Sequence, residues 1–193
     1  MNVTSVSLLE RLKNAPPDAS DWRRLQGIYL PLIERWLARV PGLRDEAADL
    51  AQEVFIVMVR ELPRFERQRE GSFRAWLRKV TVNKIRSHRK RRNRTPLVAI
   101  DPAEKFLEQL ADPSGDLARE WDQEHDRHVF QKLLAIVESD FSTSTWEAFR
   151  RFALDDVPAA QVAAELGVSV NAVLQAKSRV LKRLREEAGE FLA

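Results

Sequence analysis

The sequence predicts an all-α chain: two small helical domains joined by a flexible acidic linker. Three observations predict it. Apolar residues recur at three- and four-residue spacing through most of the chain, punctuated by Pro and Gly, as in helices with one core-facing stripe. No stretch alternates apolar and polar residues, and no Asn-Gly or Asp-Gly pair marks a hairpin. Charge is segregated: from Phe73 to Arg94 there are ten Lys/Arg and no Asp/Glu, whereas Thr95 to Asp126 holds nine Asp/Glu against two Lys/Arg, a net of −7.

The elements follow in order. Residues 1–19 are a short amphipathic extension ending in Pro16-Pro17. Ser20 caps a helix whose Trp22, Leu25, Tyr29, Leu32, Trp36 and Val40 keep helical period, with a kink or break expected near Leu30 because Pro31 follows. Pro41-Gly42 stops it. Leu43, Ala47, Leu50, Val54, Met58 and Leu62 form the stripe of a second helix, ended by Pro63. Arg64–Gly71 reads as a polar loop, and Ser72 caps a third helix that points Phe73, Trp76, Leu77 and Val80 into a core. These three helices make a first domain over residues 20–95.

The end of that third helix sets the chemistry. Lys84, Arg86, Arg89, Lys90, Arg91, Arg92 and Arg94 form a block of one sign, which repels itself and is stable as an ordered surface only against a polyanion. A solvated basic tail is the bland reading. The aromatic-anchored helix leading into the block favours a structured surface delivered to nucleic acid.

Residues 96–122, with Pro96, Pro102, Pro113 and Gly115 among acidic residues, read as a linker holding one short helix near Glu104–Leu110. The second domain spans residues 123–193. Trp121, Val129, Leu133, Ile136 and Val137 give its first helix; Ser144-x-x-Glu147 reads as a capping box for the next, which buries Trp146, Phe149 and Ala153. Over 158–187, Pro158 opens a short helix, Gly167 ends it as a left-handed C′ residue, and Ser169 caps a last helix. Ala163, Leu166, Val168 and Val173 suit the crossing of a helix-turn-helix. With Val173, Ala176, Val180 and Leu184 inward, Asn171, Leu174, Gln175, Ser178, Arg179, Lys182 and Arg185 face out. Asn and Gln can pair with adenine, Arg with guanine, Leu174 can touch a thymine methyl, and the later Lys and Arg suit phosphates.

Composition excludes other classes. The 193 residues are 44% apolar and 32% charged, with a net charge of only +3, so separate pieces with separate partners fit better than a uniformly basic protein. The absence of cysteine removes disulfides, thiolate metal sites and cysteine nucleophiles. No signal-peptide pattern and no apolar run of membrane-spanning length is visible, so a soluble, cytoplasmic chain without membrane insertion is expected.

Taken together the motifs resemble the extracytoplasmic-function (ECF, group 4) sigma factors of the sigma-70 family, which carry only the σ2 and σ4 domains of a bacterial RNA polymerase sigma factor. Asp49-Leu-Ala-Gln-Glu-Val-Phe55 looks like the region 2.2 signature. Phe65, Gly71-Ser-Phe-Arg-Ala-Trp-Leu77 and Asn83–Arg92 look like regions 2.3 and 2.4, and Val157–Arg185 like region 4.2. The resemblance covers about Ser20 to Glu187 and implies promoter-specific transcription initiation. Asp49, Gln52 and Glu53 would contact the polymerase β′ clamp. Asn83 would read a flipped base of the melted −10 element, with Lys84, Arg86, Ser87, Arg89, Arg91 and Arg92 around it on the strand. Asn171, Leu174, Gln175, Ser178, Arg179 and Lys182 would read the −35 element as duplex. The linker would thread through the polymerase toward the RNA exit path. The implied partners are core polymerase (β′ and β), promoter DNA and an inhibitory regulator such as an anti-sigma factor; no cofactor or metal is implied, and polymerase-bound chain would be nucleoid-associated. One departure is Ala48 beside Asp49, where the family often has an acidic residue; it points to weaker clamp binding.

Two other readings draw on the same residues. A conventional dimeric helix-turn-helix regulator binding duplex operators leaves the basic block and the Asp49-x-x-Gln-Glu face without a use. An enzyme, such as a nuclease, would have to rely on His88, His125 and His128, but no carboxylate constellation accompanies them, and surface histidines are the ordinary case. No Gly-rich phosphate loop is present.

Overall fold

The computed structural model describes Leu12 and residues 20–66, 72–92 and 101–188, and every regular element among them is helical. The chain is all-α, as the periodicities predict. Its helices are α1 (Ser20–Leu37), α2 (Ala47–Glu61), α3 (Ser72–Arg92), α4 (Pro102–Ala111), α5 (Asp116–Glu138), α6 (Thr143–Phe149), α7 (Ala159–Leu166) and α8 (Val170–Ala188). They fall into two compact units that divide at Val129/Phe130, inside α5.

In the first unit α2 packs against both α1 and α3, and α4 lies along α3. The stripes read from the sequence on α1 and α2, from Trp22 to Val40 and from Leu43 to Leu62, are all buried. On α3, Phe73 and Leu77 are buried, while Trp76 is half-buried against Phe65 and Phe73, each 5.3 Å away between ring centroids. Arg78, Val82 and Ile85 bury a further side of α3. The Arg78 guanidinium is satisfied there by the Ala118 carbonyl at 3.1 Å and the Asp122 carboxylate at 2.8 Å, which is what lets a charge be buried at all.

Several expectations change. Helix α1 runs unbroken through Pro31, with no break at Leu30. A proline there removes one backbone bond, and the burial of Ile28, Tyr29, Leu32, Ile33 and Trp36 on either side outweighs that loss. The region read as linker is helical in two stretches: α4, buried through Ala103, Leu107 and Leu110, and the start of α5. Trp121 packs at a tilt against Trp36, so α5 up to Val129 belongs to the first unit rather than the second. His125 and His128 are buried, not surface groups. His125 Nδ1 donates to Asp126 at 2.9 Å, which leaves Nε2 to accept from the Tyr29 hydroxyl at 3.2 Å; His128 Nε2 donates to the Ile28 carbonyl at 2.6 Å. Burial, reinforced by the Asp126 charge, pushes the Tyr29 phenol well above its ordinary pKa. The N-terminal extension apart from Leu12, the loop residues 67–71, the Ser72 side chain and residues 93–100, with Arg94, lie outside the described residues.

In the second unit the N-cap of α6 is Ser142, which accepts from the Thr145 amide, so the cap sits two residues before the Ser144 expected from the sequence. Glu147, read as the far end of a capping box, instead accepts from Arg150 at 2.7 Å. Phe149 is buried, and Trp146 and Ala153 are half-buried. A π-helical turn, Arg150–Leu154, leads to Asp156 at φ 56° and then to α7. Gly167 ends α7 with φ 65° and its amide on the Ala163 carbonyl; Ser169 accepts from the Ala172 amide at the start of α8. Ala148, Val162, Ala163, Val173 and Ala176 form the core where these helices cross, and small side chains let the backbones approach.

Candidate nucleic-acid interface

Helix α3 carries the densest charge. Its cationic half projects side chains in three directions, because successive residues of a helix turn by about 100°. Toward α2, Lys84 Nζ lies 2.7 Å from Glu53 and Arg91 Nη2 3.6 Å from the same carboxylate, while His88 Nε2 is 2.6 Å from Glu46. Toward α4, Arg86 Nε donates to Glu104 at 2.9 Å, and Arg89 pairs with Asp101 and lies 4.0 Å from Glu104. Asn83, Ser87 and Lys90 face outward and are exposed. The side chain of Arg92 lies outside the described residues.

These pairs tune the acids. The Lys84 hydrogen bond is the main reason the Glu53 carboxyl is held below the usual carboxylate range. At Asp101 burial pushes the carboxyl up, but the Arg89 guanidinium and the Ala103 amide outweigh it and hold it low. Both acids are therefore ionised across the neutral range. A cleft of about 320 Å³ opens beside Asn83, between Arg78, Lys79, Asn83 and Arg86 of α3 and Ala111 at the end of α4 with Pro113 just beyond it.

The acidic face of α2 is divided. Asp49 and Gln52 are exposed, whereas Glu53 is turned toward Lys84. Ile56, one turn beyond Gln52 and Glu53, is 63% exposed, and Asp49, Gln52 and Ile56 share one helix face. An apolar residue left in water beside carboxylate and amide groups fits a protein-docking face. The one sequence signal for Ile56 is its place outside the Leu50–Val54–Met58 stripe.

Residues 26–95 match the Sigma-70 region 2 family model. That match supports a sigma-70 family sigma factor acting in transcription initiation, and implies binding to core RNA polymerase and promoter DNA. The family is one of non-enzymatic initiation factors. The region 2 match thus begins in α1, spans α2 with Asp49, Gln52, Glu53 and Ile56, and takes in all of α3. No curated protein matches the chain. Among the described residues no helix is long and apolar enough to cross a membrane, and no group of three or more His, Cys, Asp or Glu is placed to hold a metal ion.

Outside the region 2 match, α8 exposes a second polar face. Asn171, Leu174, Gln175, Ser178, Arg179, Lys182 and Arg185 are all exposed, while Val173, Ala176, Val180 and Leu184 are buried. Val170, missed in the sequence because it sits at the turn, is 44% exposed and lies one turn from Leu174, 47% exposed. On the inner side Arg183 holds the helix by donating to Asp140 at 2.8 Å and to the buried Glu187 at 2.9 Å.

Proposed function

We propose that the chain is an ECF-type (group 4) sigma factor that binds core polymerase and directs promoter-specific initiation through a σ2 domain built on α1–α3 and a σ4 domain built on α6–α8. One observation carries the reading: a Sigma-70 region 2 match ending in the cationic α3 stands in the same chain as a Gly167-centred helix pair whose second helix exposes Asn171, Gln175, Ser178 and Arg179. Asp49, Gln52 and Glu53, with Ile56, contact the β′ clamp. Asn83 reads a base of the melted −10 strand, and Lys84, Arg86, Ser87, Arg89, Arg91 and Arg92 hold that strand. Coupling base extrusion to recognition offsets part of the cost of melting. Asn171, Leu174, Gln175, Ser178, Arg179 and Lys182 read the −35 duplex, as a helix-turn-helix does in the major groove. The chain works in the cytoplasm, at the nucleoid when polymerase-bound, and an anti-sigma protein or other inhibitory regulator restrains it.

The test is transcription in vitro by bacterial core polymerase, with and without the chain, on promoter fragments from its own genome. Discrete new start sites that disappear with Asp49→Ala support the reading; Asp49 is the cleaner probe, since Glu53 also holds Lys84. No core-dependent start, together with tight binding of a palindromic duplex by the chain alone, replaces it with a dimeric helix-turn-helix regulator.

A further inference from the structure

Helix α4 presents carboxylates to cations that the proposed −10 surface needs. Asp101, which caps α4 by accepting from the Ala103 amide, takes Arg89; Glu104 takes Arg86 and reaches Arg89. A guanidinium forks onto a carboxylate in the same geometry as onto a phosphate, so the α4 carboxylates occupy donors that a strand phosphate would otherwise take. The far end of the same segment borders the proposed base reader, because Ala111 and Pro113 wall the cleft beside Asn83. The acids on the other side of α3 differ. Glu53 belongs to α2 and Glu46 to the turn before it, and α2 buries Leu50, Val54 and Met58 in the bundle. Helix α4 is ten residues long and buries Ala103, Leu107 and Leu110. A helix that short does not persist in water without its docking site.

We propose that α4 is a displaceable internal lid: in the free chain it occupies Arg86, Arg89 and the edge of the Asn83 cleft, and single-stranded DNA competes with it for that face. This rests on α3 being the −10 surface. The lid makes free chain a poor binder of single strands, so stable engagement requires that polymerase binding draw α4 away from α3. Melted DNA then meets an open face only in the assembled enzyme.

The experiment measures binding of a fluorescein-labelled (dT)20 oligonucleotide to the full chain at low salt. Neutralising the lid with Asp101→Asn and Glu104→Gln is expected to tighten binding about 3- to 10-fold, the range for two partly exposed ion pairs. A charge-matched control, Glu108→Gln with Glu138→Gln, removes two acids outside these pairs and should change binding less than about 2-fold. Equal gains in both variants, or none in the lid variant, overturn the lid. Adding Arg86→Ala and Arg89→Ala separates the two readings. If binding does not depend on these arginines, or no variant binds, α3 is not the strand surface and both readings fall; if it depends on them while the lid substitutions change nothing, the lid alone falls. A second readout needs no substitution: amide exchange over residues 103–111 of the wild-type chain should accelerate when (dT)20 binds. Unchanged or slowed exchange there, with DNA bound through Arg86 and Arg89, overturns the lid equally.

Discussion

Trp36 of α1 and Trp121 of α5 meet with ring centroids 5.0 Å apart and planes inclined at 58°, and neither indole N–H has a hydrogen-bond partner among the described residues. Arg39 caps the pair, its guanidinium 4.1 Å from the Trp36 ring. Eighty-odd residues of chain separate the two rings, so this contact makes the start of α5 part of the first bundle.

Removing that ring should cost the bundle heavily. Trp121→Ala is expected to destabilise by about 3–5 kcal/mol, as for other buried aromatics. Trp121→Phe should cost about half that or less, because a ring still packs on Trp36 and a buried donor without a partner is lost. Urea unfolding followed by circular dichroism measures both.

On the proposed clamp face, Asp49→Ala and Ile56→Asp should each weaken core polymerase binding by about 10-fold, the effect of losing a central interface contact of about 1–2 kcal/mol. Both residues are exposed, so thermal stability should be unchanged within about 0.5 kcal/mol. Fluorescence anisotropy against core polymerase reads the first and a thermal melt the second. Loss of stability together with binding would make the face structural.

The Glu53–Lys84 pair predicts a pH dependence with a definite sign. The folded-state pKa of Glu53 is depressed, so its contribution is present above the unfolded value of about 4.3 and fades as pH falls through the folded value. Glu53→Gln should therefore be less stable than wild type at pH 7, by under about 1 kcal/mol since the carboxylate is partly exposed. The difference should shrink toward zero in acid, below the folded pKa. A gap that stays constant from pH 7 down to the acid transition would assign the effect to packing instead.

Gly167 stands at φ 65°, and a Cβ placed on it would touch nothing within 4 Å. The cost of Gly167→Ala is then almost purely conformational, about 1–2 kcal/mol for a left-handed residue with a side chain. Gly167→Asn should cost less, because Asn tolerates this region. Thermal melts of the three chains rank them.

For the α8 face, Gln175→Ala and Arg179→Ala should each lower affinity for a selected −35 duplex by about 1–3 kcal/mol if they pair with base edges, and leave stability unchanged. Competition with mutated duplexes distinguishes base reading from phosphate contact, since loss of a phosphate contact weakens all duplexes alike.

How much of this was legible in the chain depends on which interactions are local. Periodicity placed the stripes of α1, α2 and α8, and turn chemistry at Gly167 and Ser169 marked the helix pair, because helix phase, caps and left-handed turns are decided within a few residues. The cationic block of α3 and the polar outer face of α8 were visible for the same reason. What the linear chain could not show was pairing across it. Acidity and prolines made residues 96–122 look like linker, yet their carboxylates are balanced by Arg74, Arg78, Arg86 and Arg89, so the segment docks where composition alone predicts solvation. His125 and His128 looked like surface groups until Tyr29, Asp126 and the Ile28 carbonyl supplied partners for their ring nitrogens. The sequence by itself determined the phase and caps of the strongly periodic helices and which of their faces are apolar or charged, since those follow from local geometry. Only the tertiary structure decided which charges are free and which already hold a partner, because a buried or paired charge is settled by groups far away in the chain.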